Sequence, residues 1–191
     1  MDMQWIILGV IGVLIVGLIV IYNRLVALRQ TRKNAFSDID VQLKQRFDLI
    51  PNLVETVKGY ASHERTVFEN VTNARASVGR AAPGPGTDRL KAEGMLGSAL
   101  MGLFAVAENY PQLKADVNFQ HLQAEISDIE NKIAAARRFF NSATAEYNTA
   151  IQQFPANLIA GPFGFHDEIF FELDAAEAEM VKKPVAVNFG S

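Results

Sequence analysis

The sequence predicts an all-α protein: a single N-terminal transmembrane helix, then an antiparallel, up-and-down domain of the four-helix-bundle kind with long heptad-patterned helices. Three observations carry this. Residues 3–22 form a run of twenty without a formal charge. Two long stretches, within 36–78 and 119–154, repeat apolar residues in steps of three and four. A linker dense in proline and glycine separates them, followed by a shorter apolar-periodic stretch. The expected organisation is an anchor at 1–23, a bundle at 24–155, and a tail at 156–191 that is first Phe-rich and then acidic.

The first element reads MQWIILGVIGVLIVGLIVIY. At about 1.5 Å of rise per residue it crosses a hydrocarbon core of roughly 30 Å. Trp5 and Tyr22 stand at its two ends, where an apolar ring with a wet N–H or O–H is favoured. A cleaved signal peptide would need a basic leader and a small-x-small site. The leader here is acidic at Asp2 and no such site closes the run, so an uncleaved anchor is expected. Arg24, Arg29, Arg32 and Lys33 follow the span. Basic residues close to a span are retained on the cytoplasmic side, which predicts an outside N-terminus and a cytoplasmic bundle. A periplasmic bundle is the alternative. The same four residues are candidate contacts for anionic lipid, each contributing about 1 kcal/mol near a charged surface.

In the next element Phe36, Ile39, Leu43, Ile50, Leu53, Val57, Tyr60, Val67, Val71, Ala74 and Val78 keep one register, with Arg46 and Glu64 as exceptions. Pro51 falls inside the series, where it removes a backbone bond and crowds the Phe47 carbonyl. Because the register is the same on both sides, one helix from about 23 to 80, kinked near Pro51, is expected; the alternative is a second helix capped by Asp48, with Pro51 in its first turn. Arg46 and Glu64 read either as a buried polar feature that fixes helix register or as side chains reaching outwards at a rim. Residues 81–88, AAPGPGTD, form the linker. Leu90, Leu96, Leu100, Leu103, Ala107 and Tyr110 then outline a third helix, whose Gly94, Gly97 and Gly102 weaken it but leave room for a close neighbour. The last long helix carries Phe119, Leu122, Ile126, Ile129, Ile133, Ala136, Phe140, Ala143, Tyr147, Ala150 and Phe154, with Asp116 or Asn118 as cap and Pro155 as stop.

In the tail, Phe163, Phe165, Phe170 and Phe171 sit among Gly161, Pro162 and Gly164. So much apolar area suits irregular chain packed on a surface, and these four are candidate partner or oligomer contacts. Acidic residues follow from 172, and 184–189 alternate in a way that suits a short strand.

Composition narrows function mostly by exclusion. The 191 residues carry 18 Lys+Arg against 21 Asp+Glu, a net charge of -3, which does not suit a nucleic-acid binder. There is no cysteine, hence no disulfide, thiolate zinc site or catalytic thiol. His63-Glu64 opens like a zincin motif, but the fourth residue on is Val67 rather than histidine. Asp38 and Asp40 point to different helix faces, and Gly84 and Gly86 lack the lysine of a phosphate-cradling loop. No catalytic residue, cofactor or metal site is therefore expected.

Tyr22-Asn23-Arg24-Leu25-Val26 and the block AFSDIDVQLKQRFDLIPNLVETVKGYASHE at 35–64 resemble the signature of LemA family proteins. The resemblance continues through Glu108-Asn109-Tyr110-Pro111, residues 118–123, Glu130-Asn131, residues 137–141, Tyr147-Asn148 and Phe154-Pro155. Phe36 and Phe140 stand where the family more usually has Trp and Tyr, and Lys132 where Arg is common. The resemblance implies a bacterial protein anchored in the inner membrane, with a four-helix-bundle domain and no defined reaction. Family members often lie beside genes for HtpX-like membrane proteases, and one in magnetic bacteria serves magnetosome membranes. Expected partners are thus membrane lipid, a protein such as an HtpX-like protease, or further copies of the chain. The leading expectation is a non-enzymatic scaffold or adaptor; the alternative is a membrane-shaping or envelope-stress factor acting on lipid through its basic juxtamembrane helix.

Overall fold

The structure is a computed structural model, and it describes residues 3–171. Six helices appear in this order: α1 Met3–Tyr60, α2 Arg65–Arg80, α3 Thr87–Ala107, α4 Pro111–Lys114, α5 Val117–Gln152 and α6 Asn157–Ala160. The all-α expectation holds. The acidic residues from 172 and the alternating segment at 184–189 lie outside the described residues.

Two compact units are present, and α1 and α5 each contribute to both. One unit takes residues 3–41 and 133–170; the other takes 42–132 and 171.

In the first unit, α1 begins with a stretch that has no fully buried residue up to position 24 and then turns amphipathic at Leu25. The stretch is long and apolar enough to cross a membrane. From Leu25 onward one stripe faces α5. The rings of Phe36 and Phe140 meet edge-on at 5.7 Å, and Arg32 reaches Thr144, so higher numbers on α1 pair with lower numbers on α5 and the helices are antiparallel. Leu25, Tyr147, Ala150, Ile151, Ala156, Ala160 and Phe165 form a core with Ile21 and Leu28 against it.

In the second unit, α1 passes through Pro51 without interruption and ends at Tyr60. The chain turns at residues 61–64 and α2 runs back along it: the Arg75 guanidinium covers the Phe47 ring at 4.1 Å, and Val71 and Thr72 share a groove with Val54 and Lys58. The expected single helix from 23 to 80 is therefore a hairpin, broken at 61–64 rather than bent at Pro51. Pro51 is exposed, so the helix bond it removes at the Phe47 carbonyl lies outside the fully buried stripe. The stop comes instead from Gly59, Ser62 and His63, all weak helix formers. Both arms face the same core, so the apolar spacing crosses the turn unchanged.

Residues 81–86 connect α2 to α3, which pack together as an antiparallel pair over that short connection. Gly84 has φ 105°, a left-handed conformation that a side chain would strain. Leu113 of α4 is fully buried, and Asp116 Oδ1 caps α5 by accepting from the Phe119 N–H at 2.9 Å. Ile50, Leu53, Val57, Val71, Leu96, Leu100, Leu103, Phe119 and Ile126 share one core, contributed by α1, α2, α3 and α5. This is the up-and-down four-helix arrangement. α3 is also long and apolar enough to cross a membrane, but its inward face is spent on that core.

Candidate functional site

The four basic residues after the span separate by helix phase. Arg24, Arg29 and Lys33 are exposed, whereas Arg32 falls on the buried stripe and is 5% exposed. Arg32 donates from Nε to Thr144 Oγ1 at 3.1 Å and from Nη2 to the Ile169 carbonyl at 3.0 Å. Its Nη1 meets Glu168 at 3.1 Å, and the guanidinium lies 4.7 Å from the Phe140 ring centroid. Burial pushes its pKa down and the Glu168 charge opposes that shift. Arg32 is thus withdrawn from any lipid surface and holds the fold, leaving Arg24, Arg29 and Lys33 as the exposed basic set.

What Arg32 holds is the segment after α6. Asn148 on α5 receives it with both halves of its amide: Nδ2 donates to the Glu168 carbonyl and Oδ1 accepts from the Glu168 N–H, each at 2.9 Å. Gln152 donates to Asp167 at 3.0 Å. The strap turns at Gly164, whose φ is 74°. Phe165 is buried in the core and Phe171 is buried as well, while Phe163 and Phe170 remain exposed. Tyr22, the last residue of the uncharged run, touches Phe163 and Phe165 edge-on at centroid distances of 5.4 and 5.6 Å. Trp5, at the other end of that run, is exposed. Tyr147 lies beneath the strap, its pKa pushed up mainly by burial.

The second unit has its own buried arginine. Arg46 is 3% exposed and bonds Glu93 Oε2 and Glu130 Oε1, each at 2.7 Å, as well as the Glu93 carbonyl at 3.2 Å. Arg89 also contacts Glu93 at 2.7 Å. Two positive and two negative groups thus balance one another, with Arg46 and Glu93 buried and Glu130 at the rim. Gly97 faces this cluster, with the Arg46 side chain 3.7 Å from where its Cβ would be, which is ordinary contact and not the close backbone approach expected of it. Glu64 sits at the 61–64 turn and accepts from the Tyr110 hydroxyl at 3.1 Å. The Tyr60 hydroxyl donates to Asp116 Oδ2 at 2.9 Å.

Chemically these groupings tie elements together. Each buried cation is matched by carboxylates and carbonyls, and His63, His121 and His166 are exposed and dispersed. Among the described residues no three His, Cys, Asp or Glu side chains converge on a metal position. The open surface lies on the outer side of α3. Residues 94–107 carry no charge, Met95 and Met101 are exposed, and a groove of about 600 Å³ runs between α3 and α5, lined by Leu100, Met101, Phe104, Gln123 and Ile126.

A model described as LemA family matches residues 35–189. The chain belongs to the LemA family. The match covers the block at 35–64 that carried most of the resemblance, the whole Arg46 cluster and the partners of Arg32, while Arg32 itself lies just before it. Magnetosome protein MamQ of Magnetospirillum gryphiswaldense is similar at 27% identity, over 87% of this chain and 71% of the relative. Magnetosome protein MamQ 2 of Paramagnetospirillum magneticum is 26% identical over 83% and 67%. Protein LemA of Metamycoplasma hominis is 25% identical over 83% and 71%. As a LemA family chain it thus has relatives named for a cellular structure or for the family itself, and not for a reaction.

Sequence reading gave no role to Glu93, Glu130, Thr144, Asn148 or Glu168, although Glu130 and Asn148 lie in motifs that carried the resemblance. A signal existed for Glu93, which falls on the apolar series that continues through Leu96, Leu100 and Leu103. For Asn148 the signal was its place in the Tyr147-Asn148 motif of the resemblance, which did not show that its partner is backbone.

Proposed function

We propose that this LemA family protein is a membrane-anchored, non-enzymatic scaffold that presents the outer face of α3 to a protein partner or to another copy of itself. One observation carries the reading. The same unbroken α1 is exposed and apolar on all sides over residues 3–20 and then buries a single stripe from Leu25 onward, the pattern of a helix that changes solvent from lipid to water. A bundle tethered in this way works where it is held. The charge-free stretch of α3 at 94–107 and the α3–α5 groove supply apolar contact area of the sort that buried helix faces dock on. Relatives named for the magnetosome support a role in assembly. The bacterial inner membrane, the cytoplasmic side for the bundle, and an HtpX-like protease as partner belong to the same proposal.

A photo-cross-linking residue at Met101, introduced into the full chain in native membranes, tests it. A discrete adduct at Met101 and Met95 that is absent at exposed Glu125 is expected. Adducts at none of the α3 positions would overturn the scaffold reading. The second reading, action on lipid itself, is favoured by exposed Arg24, Arg29 and Lys33 directly after the span.

A further inference from the structure

The turn between α5 and the strap is exposed and greasy in a way the fold does not require. Phe154 is 80% exposed, Leu158 65% and Phe163 60%. α6 turns Ala156 and Ala160 into the core, which leaves Leu158 on its opposite side. No Asp, Glu, Lys, Arg or His occurs from residue 147 to residue 165, nineteen positions in a chain that is 20% charged.

Its placement says what covers it. Tyr22 closes the uncharged run of α1, and its ring meets both Phe163 and Phe165. On α1 the first charge is Arg24; on the strap the first charged residue beyond Phe165 is Asp167, after His166. The charge boundary therefore falls at one level on both elements, with Phe154, Leu158 and Phe163 on the side of the span. An aqueous surface would leave these three side chains in water, and a bilayer whose edge lies at Tyr22 would take them up.

We propose that the α5–α6 turn is a second membrane contact, with Phe154, Leu158 and Phe163 inserted at the boundary between headgroups and acyl chains in the leaflet where α1 emerges. The bundle is then held to the bilayer at two points, the span and this turn, which fixes its tilt as well as its position. The inference rests on α1 spanning the membrane, and the test separates the two claims.

The chain has no native cysteine, so single nitroxide labels can be placed on the full-length protein in phosphatidylcholine–phosphatidylglycerol vesicles. Labels go at Leu158→Cys and Phe154→Cys, with Val13→Cys in the span and Val117→Cys on the exposed start of α5 as references. Relaxation by oxygen is compared with relaxation by a water-soluble nickel chelate. The expected oxygen-to-nickel ratio at 158 and 154 resembles that at 13 and is several-fold above that at 117. A ratio at 158 and 154 equal to that at 117, with 13 still oxygen-dominated, overturns the second contact alone. Low access to both reagents at 158 and 154 also overturns it, since a second copy would then be covering the turn. Nickel-dominated relaxation at 13 overturns the span and this proposal with it.

Discussion

Replacing Arg46 by Met removes the buried positive centre of a four-charge cluster and keeps most of the side-chain volume. Two carboxylates lose a partner at 2.7 Å, but unequally. The Glu93 side chain is 2% exposed and cannot reach water, whereas Glu130 is 41% exposed and can rotate outwards. Breaking a buried pair while leaving one charge alone costs about 3–5 kcal/mol; Glu93 keeps Arg89 at 2.7 Å, so the cost here falls at the lower end and still comes mostly from Glu93. Losing a half-exposed partner costs about 1 kcal/mol or less. Arg46→Met should therefore destabilise by about 3 kcal/mol and Glu130→Gln by under about 1 kcal/mol. Combining Arg46→Met with Glu93→Gln should recover part of the loss, a coupling of more than about 1 kcal/mol between residues in direct contact. The assay is chemical denaturation of the full chain in detergent followed by far-ultraviolet circular dichroism, with unchanged slopes required so that midpoints report stability. Simple additivity in the double variant, or an Arg46→Met cost equal to that of Glu130→Gln, would refute the reasoning.

Two other consequences are direct. Asn148→Ala removes both hydrogen bonds to Glu168 and should cost about 1–3 kcal/mol locally, read as loss of protection of the Glu168 amide in hydrogen exchange; unchanged protection would mean that Arg32 alone holds the strap. The Asp116 carboxyl is held below its ordinary range by the Phe119 N–H and by the Tyr60 hydroxyl, while the hydroxyls of Tyr60 and Tyr110 are raised by the carboxylates they donate to. A depressed carboxylate contributes stability above its unfolded pKa, lost as pH falls through the folded value. A raised tyrosine contributes below its unfolded pKa of about 10, lost as pH rises through the folded value. Stability should thus be flat between about pH 5 and pH 9 from these groups and decline on both sides, and Asp116→Asn, which retains an oxygen for the cap, should flatten the acid limb in a pH-dependent melting series.

Much of this architecture was legible because periodicity reports burial. The stripes through Leu43, Leu53, Leu96, Leu103, Ile126 and Phe140 each mark a buried face. The same property hid the break at 61–64. A hairpin whose two arms share a core can preserve spacing across its turn, and Pro51 drew the expected distortion to a place where an exposed helix side tolerates it. The arginines were half legible. Leu25, Arg32, Ile39, Arg46 and Leu53 follow one another at sevens on α1, so both cations stand on the core line. Spacing puts a side chain inward but does not name what meets it. Glu130 and Glu168 come from elements distant in the chain, and only packing brings them there. The tail reading fared likewise. Aromatic density pointed to packed chain, and Phe165 is packed, but hydrogen bonds from Asn148 and Arg32 to backbone leave no trace in side-chain pattern.

The central proposal is that α1 carries the chain once across a bilayer and leaves the bundle on the cytoplasmic side. Single cysteines at Asp2→Cys and Ser191→Cys, one per variant, test it with a maleimide that cannot cross the inner membrane. The account predicts labelling at position 2 in intact cells and at position 191 only after that membrane is opened. Labelling of both positions from the same side would contradict a single span.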